Sequence, residues 1–574
     1  MRTVIFLLIN FCYSCFAHAQ HYNLTWGNEI KLQKGTADLD ILYADKSGLY
    51  FTEKRTATSF SFMGSSNATY KLYKFDKNDA LLFDKDYKKE LRGLNFEGFQ
   101  ALDGELYLFA SDYIKKEKAF KLLGAKLDIN TGELLGDFSE LGNYALEHKR
   151  DDYEMKVSPV KNGNAFVLVS NVSATDRASI AVSLLDKKLK KKESAIIKLS
   201  YEKDLYSLED IQFTQNNKII LLGKEYEETQ IGKKKRKKLI FKQYVLSIYD
   251  AAGKKLSDIN MDNDDRYIIG GKLIEQTDGQ MLLAGFYSNK ASKQDLNGFF
   301  INKINPEMGT MALNSFKEIN ARMLGNNYQD DGEEEEEKES KRQSKKAKEE
   351  EEEDEFPNSF TIKSVAINPT DNSIIISSEV SKYTTYSYTT SSYNPTTRTT
   401  TWRTTYVHRF SNQDILVINA DKDGNINWLN ALPKSQLEQI STTSNRSLGF
   451  SVSYDYSGYF AQSGGMPFYS SYTSLLHGNN LILLFNDHNT NNVNPAYGDK
   501  VKTVYNFRKR STAYGVAIDL ATGKMTRKSI AANNEETILM PRHAYVVGSD
   551  FYVPSWRQKT LAKTALRFAK ITVK

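Results

Sequence analysis

Aromatic side chains form the densest chemical feature of this sequence. Residues 383–406, "YTTYSYTTSSYNPTTRTTTWRTTY", mix Tyr and Trp with Thr and Ser, a composition typical of an extended β-hairpin. The candidate binding residues, which we predict to lie near one another, are Tyr386, Tyr388, Tyr393, Trp402 and Tyr406. Tyr and Trp combine a large apolar surface with a polar group, so they could stack on sugar rings or anchor a protein partner. Packing against the Tyr-rich region 444–471 is the alternative.

A second candidate places an acid beside an imidazole. Asp487 and His488 lie in "FNDHNTNN", next to a polar loop, where they could contact a ligand. No third ligand stands at a known metal-binding spacing, so a hydrogen-bonded loop is the simpler interpretation. "NADKDGNINW" resembles half of a calcium loop but lacks the Glu at the twelfth position, and a turn is the better interpretation. We therefore predict no metal site and no cofactor.

The linear signatures of common enzymes are missing from the sequence. It contains no G-x-S-x-G, H-E-x-x-H, Walker or dinucleotide-binding motif. Catalytic groups can also be gathered from distant parts of a chain, so this absence does not exclude catalysis. We predict no catalytic residues, and the alternative is a glycan-active hydrolase or lyase that uses carboxylates and His488.

Two runs of charged residues suggest solvent-exposed segments rather than a catalytic or ligand-binding site. Residues 330–356 are acidic and of low complexity, and we predict a disordered insertion there. "KKKRKK", Lys233–Lys238, would indicate nucleic-acid binding in another chain. Because the amino terminus predicts export, we expect no nucleic-acid partner.

The first residues, "MRTVIFLLINFCYSCFAHAQ", predict a secretory signal peptide. They combine Arg2, an apolar run from Val4 to Phe11, and a small-x-small end that favours cleavage after Ala19. We therefore assign residues 1–19 to the signal. The apolar run is too short to span a bilayer, and no later stretch reaches the ~20 apolar residues of a transmembrane helix. We expect an exported protein that is periplasmic, at the cell surface or extracellular.

Both cysteines, Cys12 and Cys15, fall inside this segment. The mature chain therefore contains no disulfide and no thiol, and its stability must come from core burial and backbone pairing. A lipoprotein signal would acylate Cys15. The preceding residues "CYS" lack the usual leucine three positions upstream, which argues against a lipid anchor.

A repeated unit positions the candidate residues. Eight times, an apolar strand is followed by a turn of Asp, Asn or Gly and a stronger apolar strand, which is the pattern of a β-hairpin. The turns centre on Gly48, Gly104, Gly163, Asn217, Gly279, Asn372, Asn479 and Ser549. A second hairpin follows seven of them. Four-strand units of this size, repeated around an axis, are typical of a β-propeller.

We predict an all-β fold in which residues 20–574 form a single β-propeller of four-stranded antiparallel blades. Eight blades fit the units best, and seven is the alternative. The last unit lacks a fourth strand, and "YNLTWGNEIKL", with Leu24, Trp26, Ile30 and Leu32 on one face, can supply it by pairing with the carboxyl-terminal blade. A β-solenoid is also possible, although its coils are usually shorter.

The long insertions fall in one class of connection. They join second to third strands, or one blade to the next, and such connections open on the same face of the disc. They concentrate around blades five to seven. Binding residues are often carried by loops on a rigid scaffold, so we predict a binding face here.

Two segments carry a resemblance to known proteins. "TDGQMLLAGFYS" and "DILVINADKDGNINWLNALPKSQ", Asp414–Gln436, resemble uncharacterised secreted bacterial β-propeller repeat proteins. The resemblance implies a propeller and an envelope location, and it transfers no catalytic residue. The sequence thus predicts a non-catalytic binding or scaffold protein that recognises a protein or a cell-envelope glycan. A purely structural envelope protein is a further alternative.

The signal-peptide prediction is tested on the exported protein. We expect a mature chain that begins at Gln20, as measured by intact mass and amino-terminal sequencing. Ala17→Leu, which removes a small residue from the cleavage site, should accumulate as the uncleaved chain. A mature chain that begins at an acylated Cys15, or that retains Met1, would contradict the prediction.

Overall fold

The computed structural model describes residues 21–33, 36–56, 68–145, 153–160, 165–173, 177–202, 205–231, 236–261, 266–289, 295–327, 360–442, 466–491, 495–557 and 564–574. These residues are mostly β-strand, which confirms the all-β class, and their helical structure is 3₁₀, chiefly Ala321–Asn327 and Pro541–His543. The predicted signal peptide and the acidic insertion lie outside the described residues.

The strands form eight separate antiparallel sheets, which we call blades I to VIII. Two amino-terminal strands, β1 (Tyr22–Trp26) and β2 (Ile30–Leu32), belong to the last blade. Blades I and II contain β3 (Thr36–Asp45), β4 (Gly48–Thr56), β5 (Ala68–Asp76), β6 (Leu81–Asp86), β7 (Asn95–Leu102), β8 (Glu105–Ile114), β9 (Ala119–Leu127) and β10 (Ser139–Ala145). Blades III and IV contain β11 (Tyr153–Pro159), β12 (Ala165–Ser173), β13 (Arg177–Asp186), β14 (Lys191–Glu202), β15 (Tyr206–Phe213), β16 (Ile219–Ile231), β17 (Arg236–Tyr249) and β18 (Lys255–Asn260).

The second half of the chain continues this pattern. Blades V and VI contain β19 (Tyr267–Glu275), β20 (Met281–Ser288), β21 (Gly298–Asn305), β22 (Thr310–Glu318), β23 (Phe360–Ile367), β24 (Ile374–Asn394), β25 (Thr399–Ala420), β26 (Ile426–Leu432) and an added strand, β27 (Gln436–Thr442). Blades VII and VIII contain β28 (Tyr472–His477), β29 (Asn480–His488), β30 (Ser511–Asp519), β31 (Met525–Ala532), β32 (Tyr545–Val547), β33 (Asp550–Trp556) and β34 (Thr564–Val573). Eight sheets of this order are consistent with an eight-bladed β-propeller.

The amino-terminal segment completes blade VIII, as predicted. β1 pairs with β34 from Tyr22↔Val573 to Trp26↔Ala569, and β2 pairs with the same strand further along. The segment forms two strands rather than one. Leu24 and Trp26 pack between blades VII and VIII, whereas Ile30 and Leu32 pack towards blade I, so the predicted common face is divided.

The core lies between neighbouring blades. Inner strands supply much of this core, and in β20 every residue is buried. Aromatic pairs join consecutive blades, as where Tyr70 stacks on Phe96 with ring centroids 3.8 Å apart. Phe51 of blade I also meets Phe568 of blade VIII at 5.2 Å, so the first sheet packs against the last. Burial of such a side chain stabilises the fold by about 1.5–3 kcal/mol.

Glycine inside certain strands makes room for an aromatic ring. A Cβ atom at Gly515 of blade VII would lie 2.3 Å from the ring of Tyr22 on β1. A Cβ atom at Gly223 would lie 2.2 Å from the ring of Tyr206. Glycine in a strand interior otherwise weakens the strand, so close packing explains its use here.

Strand order determines where the connections emerge. Strands alternate in direction within each blade, so the first-to-second and third-to-fourth turns lie at one end. The second-to-third connections and the links between blades lie at the other end. The β24–β25 connection and residues 489–510 of blade VII therefore share that end.

Packing of the amino-terminal strand on blade VII gives a test of the pairing between the chain ends. We expect Gly515→Ala to lower the free energy of unfolding by about 1–3 kcal/mol, because the added methyl group collides with Tyr22. Tyr22→Ala removes that collision, so the double variant should lose less stability than the sum of the two single variants. Urea unfolding of all four proteins measures this coupling. Strictly additive losses would show that the two residues are not in contact.

Candidate functional site

β24 and β25 continue beyond blade VI as a two-stranded antiparallel ribbon. Their pairing runs from Ser381↔Asn412 to Asn394↔Thr399, past the ends of β23 and β26. We call residues 383–406 the ribbon. Its Thr, Ser and Tyr residues favour a pleated strand, and the Asn394 side chain accepts a hydrogen bond from the Thr396 N–H at the turn, 3.0 Å. At about 3.4 Å per residue, the ribbon is roughly 35 Å long.

The predicted binding residues are largely exposed on this ribbon. Trp402 is 70% exposed and Tyr393 61%, and about half of the surface of Tyr386 and Tyr388 is accessible. Tyr406 is half-buried near the base. Four large aromatic side chains on one two-stranded element therefore remain accessible to solvent.

The strand register divides these aromatic residues between two faces. Neighbours along a strand alternate in direction, and cross-strand partners share a face. Tyr386 and Tyr388 pair with Val407 and Thr405, and we call their side of the ribbon face A. The other side, face B, carries the remaining three predicted residues, namely Tyr393, Trp402 and Tyr406. The prediction that all five lie together is therefore corrected to two groups on opposite faces.

An added strand holds the base of the ribbon. β27 pairs with β25 from Tyr406↔Thr442 to Asn412↔Gln436, on the side away from β24. Tyr383 packs on Phe410 with ring centroids 5.1 Å apart, and its hydroxyl lies 2.6 Å from Nδ1 of the buried His408. The ribbon thus rises from a three-stranded, largely buried base. The sequence analysis did not predict β27.

A fully buried ion pair lies next to this base. The Lys434 ammonium group is 2.6 Å from Glu379 Oε1, and neither side chain is exposed. Glu379 Oε2 accepts hydrogen bonds from Ser471 Oγ at 2.6 Å and from Asn412 Nδ2 at 2.9 Å. Lys363 Nζ reaches the same oxygen at 3.2 Å. Four separate segments therefore converge on one carboxylate.

The charge state of Glu379 follows from these contacts. Burial by itself would raise the pKa of Glu379, but the ammonium groups of Lys434 and Lys363 and the hydrogen bonds lower it to about 2. Glu379 is therefore ionised at neutral pH. A buried ammonium group needs such a partner, because an unpaired buried charge is strongly destabilising.

A repeated backbone irregularity brings Lys363 to this position. Blades II, IV and VI share a register shift in the first strand, which leaves one charged residue outside the ladder in each, namely Glu97, Glu209 and Lys363. Each of these contacts a polar side chain of the second strand, at Ser111, Lys224 and Glu379 respectively. A β-bulge redirects a side chain, so the same device serves these three blades. The shifts in the first strands of blades I and V leave apolar residues outside the ladder instead.

Residues that follow β27 pack over the buried pair. The Glu438 carboxylate accepts hydrogen bonds from the consecutive N–H groups of Phe468, Tyr469 and Ser470, at 2.8, 2.8 and 2.9 Å. The Phe468 ring meets Trp556 of blade VIII edge-on at 5.1 Å. Region 444–471 was predicted to project, but its described part, residues 466–471, is packed against the blades. Residues 444–465 lie outside the described part of the chain.

Asp487 and His488 are adjacent but do not form an acid–base pair. Asp487 is fully buried, and its Oδ2 is 2.7 Å from an Arg527 nitrogen. Its Oδ1 accepts a hydrogen bond from the backbone N–H of His488 at 2.7 Å. The His488 imidazole instead lies 2.8 Å from Thr490 Oγ1. These contacts give Asp487 a structural role in blade VII, which the sequence could not distinguish from a ligand-binding one.

Three charged groups on the first strands of blades III to V were missed by the sequence analysis. Burial raises the pKa of Asp210 to about 6 and lowers the pKa of both Lys156 and Lys272. Asp210 and Lys156 nevertheless keep some solvent contact, and Lys272 is exposed. Lys272 Nζ also donates to the Lys363 backbone oxygen at 2.9 Å. A carboxyl that titrates near pH 6 can exchange protons under physiological conditions.

The calcium-like segment forms a turn, as predicted. Asp421 Oδ1 accepts hydrogen bonds from the N–H groups of Asp423 and Asn425 at 2.9 and 2.8 Å. Among the described residues, no group of three or more His, Cys, Asp or Glu side chains is arranged to hold a metal ion. No helix in the described ranges is long and apolar enough to cross a membrane.

Comparison with known proteins adds no function. No protein-family profile and no curated protein matches the chain. A solved structure of unknown function from Bacteroides caccae is 10% identical with a TM-score of 0.26, covering 63% of this chain and 89% of its own. Synechocystis apocarotenoid oxygenase is 8% identical with a TM-score of 0.32, covering 88% and 91%. Prolyl oligopeptidase B from Galerina marginata is 12% identical with a TM-score of 0.27, covering 64% and 38%. Likenesses this distant assign no activity.

The buried pair generates a stability prediction. We expect Glu379→Gln to lower the free energy of unfolding by about 3–5 kcal/mol at pH 7, because Lys434 is left without an anion. Lys434→Met should also destabilise the protein. The double variant should be closer to the wild type than Glu379→Gln is, since it also removes the fully buried ammonium group, and the remaining cation, Lys363, is partly exposed. Urea unfolding measures all three, and a double variant less stable than both single variants would contradict the assignment.

The Glu379–Lys434 pair leads us to predict that the stability of the protein depends on pH. The pKa of Glu379 falls from 4.5 to about 2 on folding, so its contribution is complete above 4.5 and is lost as the pH drops towards 2. The stability gap between wild type and Glu379→Gln should therefore be smaller at pH 3 than at pH 7. Glu438→Gln is the control. Burial raises the pKa of Glu438, so the stability gap between wild type and Glu438→Gln should change with pH in the opposite direction. A gap for Glu379→Gln that stays constant with pH would contradict the prediction.

Proposed function

We propose that this chain is an exported, non-catalytic binding protein that holds a protein or a cell-envelope glycan through its ribbon. The observation that carries this proposal is the exposure of four aromatic side chains on the ribbon, with Trp402 at 70%. Covering an exposed aromatic side chain with a partner is favourable, because apolar surface is removed from water.

The base of the ribbon supports the same conclusion. Binding is favoured when the binding residues are held in place beforehand, because less conformational entropy is lost. Here β27, the Tyr383–Phe410 contact and the Glu379–Lys434 pair all hold the strands from which the ribbon extends. The ribbon is therefore a positioned element rather than an irregular loop.

Export is part of the proposal and is supported by the amino-terminal sequence. Its basic start, apolar run and small-x-small end are features of a secretory signal. An exported chain meets envelope proteins and glycans first, which are the two partner classes proposed. A glycan-active enzyme that uses carboxylates and His488 is the alternative, and Asp487 does not serve it as the partner of His488, because Asp487 pairs with Arg527 and does not contact the His488 ring.

Affinity capture from envelope extract tests the proposal. We compare the mature protein with a variant in which Asn-Gly replaces residues 387–406, joining the paired residues Tyr386 and Val407 by a two-residue turn. The mature protein should retain a partner that the shortened variant loses. Protease treatment of the extract should abolish capture of a protein, and periodate oxidation should abolish capture of a glycan.

A point variant and its control sharpen this experiment. Trp402→Ala should reduce recovery several-fold, whereas Tyr113→Ala, which alters another exposed aromatic residue on blade II, should not. Unchanged melting temperatures establish that both variants are folded. Equal recovery of the partner by the mature protein and the shortened variant would sink the proposal.

A further inference from the structure

We infer that face A of the ribbon binds a linear acidic polysaccharide, a sugar chain that carries carboxylate or sulfate groups. The inference rests on the proposed function and names its ligand class. Four observations carry it: the charge of the ribbon, the order of residues along face A, the contrast with face B, and the size of the surface.

The two ribbon strands carry positive charge and no negative charge. Residues 381–413 contain no acidic residue and four basic ones, Lys382, Arg398, Arg403 and Arg409. Lys382, Arg403 and Arg409 pair across the strands with Ser411, Thr390 and Thr384, which places all three on face A. Each is exposed. None of them takes part in an ion pair with another described residue.

Two arginines lie on either side of Tyr386 and Tyr388 along face A. Arg409 lies across from Thr384, then come Tyr386 and Tyr388, and Arg403 lies across from Thr390. The two arginines are six positions apart on β25, a distance of roughly 20 Å along an extended strand. A sugar chain on this face would place its rings on the tyrosines and its anionic groups at the guanidinium groups. Arg binds carboxylate through two parallel hydrogen bonds, which gives the contact direction as well as charge.

Face B has a different chemistry. Its exposed aromatic residues, Tyr393 and Trp402, stand among uncharged partners, Thr400 and Ser391. Both faces therefore offer aromatic surface, but only face A combines it with cations. The two faces of the ribbon therefore differ in charge, although both carry exposed aromatic residues.

The dimensions of face A favour a linear ligand. Two strands about 4.8 Å apart form a surface about 10 Å wide, so a face roughly 35 Å long offers about 350 Å². A stable contact with a globular protein needs about 800 Å² from each partner. An extended acidic peptide would instead pair with the edge of a strand through its backbone, leaving the face unused. A polysaccharide uses the face itself.

Binding of defined polymers to the mature protein tests this inference. Affinity electrophoresis with polygalacturonate, dextran sulfate and neutral dextran measures the ligand class, and polyglutamate measures the peptide alternative. We expect an acidic polysaccharide to bind and dextran not to bind. The pair Arg403→Gln/Arg409→Gln and the pair Tyr386→Ala/Tyr388→Ala should each weaken binding about tenfold or more, the loss expected from a charge-assisted contact.

A matched pair controls for general charge effects. Lys188→Gln/Lys190→Gln removes two exposed charges from a turn of blade III. It should change affinity for the acidic polymer less than twofold. A loss with the blade III pair as large as that with the arginine pair would show general charge attraction and overturn the inference.

The remaining outcomes separate this inference from the proposed function. Equal binding of dextran and polygalacturonate, or competition by polyglutamate as strong as that by the sugar polymer, would overturn the acidic-polysaccharide inference alone. Ribbon-dependent capture from envelope extract without binding to any tested polymer would do the same. Binding that survives removal of residues 387–406 would overturn both. Preference between polygalacturonate and dextran sulfate identifies the anionic group, and either supports the inference.

Discussion

The buried ion pair between Glu379 and Lys434 is the constraint on which the site depends. Each charge loses several kcal/mol of hydration on burial, so the pair is stable only if its geometry and its other hydrogen bonds are complete. Those bonds come from Lys363 of β23, Asn412 of β25 and Ser471 before blade VII. Movement of any of these segments would remove a hydrogen bond or an ion pair from the buried carboxylate. The ribbon begins a few residues after Glu379, so the buried pair also fixes the position of its base.

Local patterns in the sequence explain why the repeat could be predicted. Each hairpin is encoded by alternation and turn residues within about 15 residues, as at Asp421, whose carboxylate closes its own turn. The pairing of the chain ends could be predicted because the last unit lacked a fourth strand, and the amino-terminal segment had the pattern of a strand but belonged to no other unit. Both inferences need only composition and counting along the chain.

The base of the ribbon could not be predicted, because its contacts are not local. Glu379 meets Lys434 across 55 residues and Ser471 across 92, and no periodic pattern connects them. The same limit applies to Asp487, which looked available in "FNDHNTNN" but is neutralised by Arg527, 40 residues later. The sequence does not show whether a carboxylate will be buried and paired with a cation that is distant along the chain. Pairing partners of this kind appear only once the blades are packed.

The faces of the ribbon illustrate a finer limit. Composition was sufficient to predict a hairpin, yet which aromatic residues share a face depends on the register, and a shift of one residue exchanges the two faces. The register also explains how the ribbon tolerates its exposed edges. Long unpaired edges invite pairing with another copy, and proteins oppose this with charged side chains. Lys382, Arg403 and Arg409 repel the same residues of a second ribbon. Cations that would attract an acidic ligand thus also oppose self-association, so one set of residues can meet both requirements.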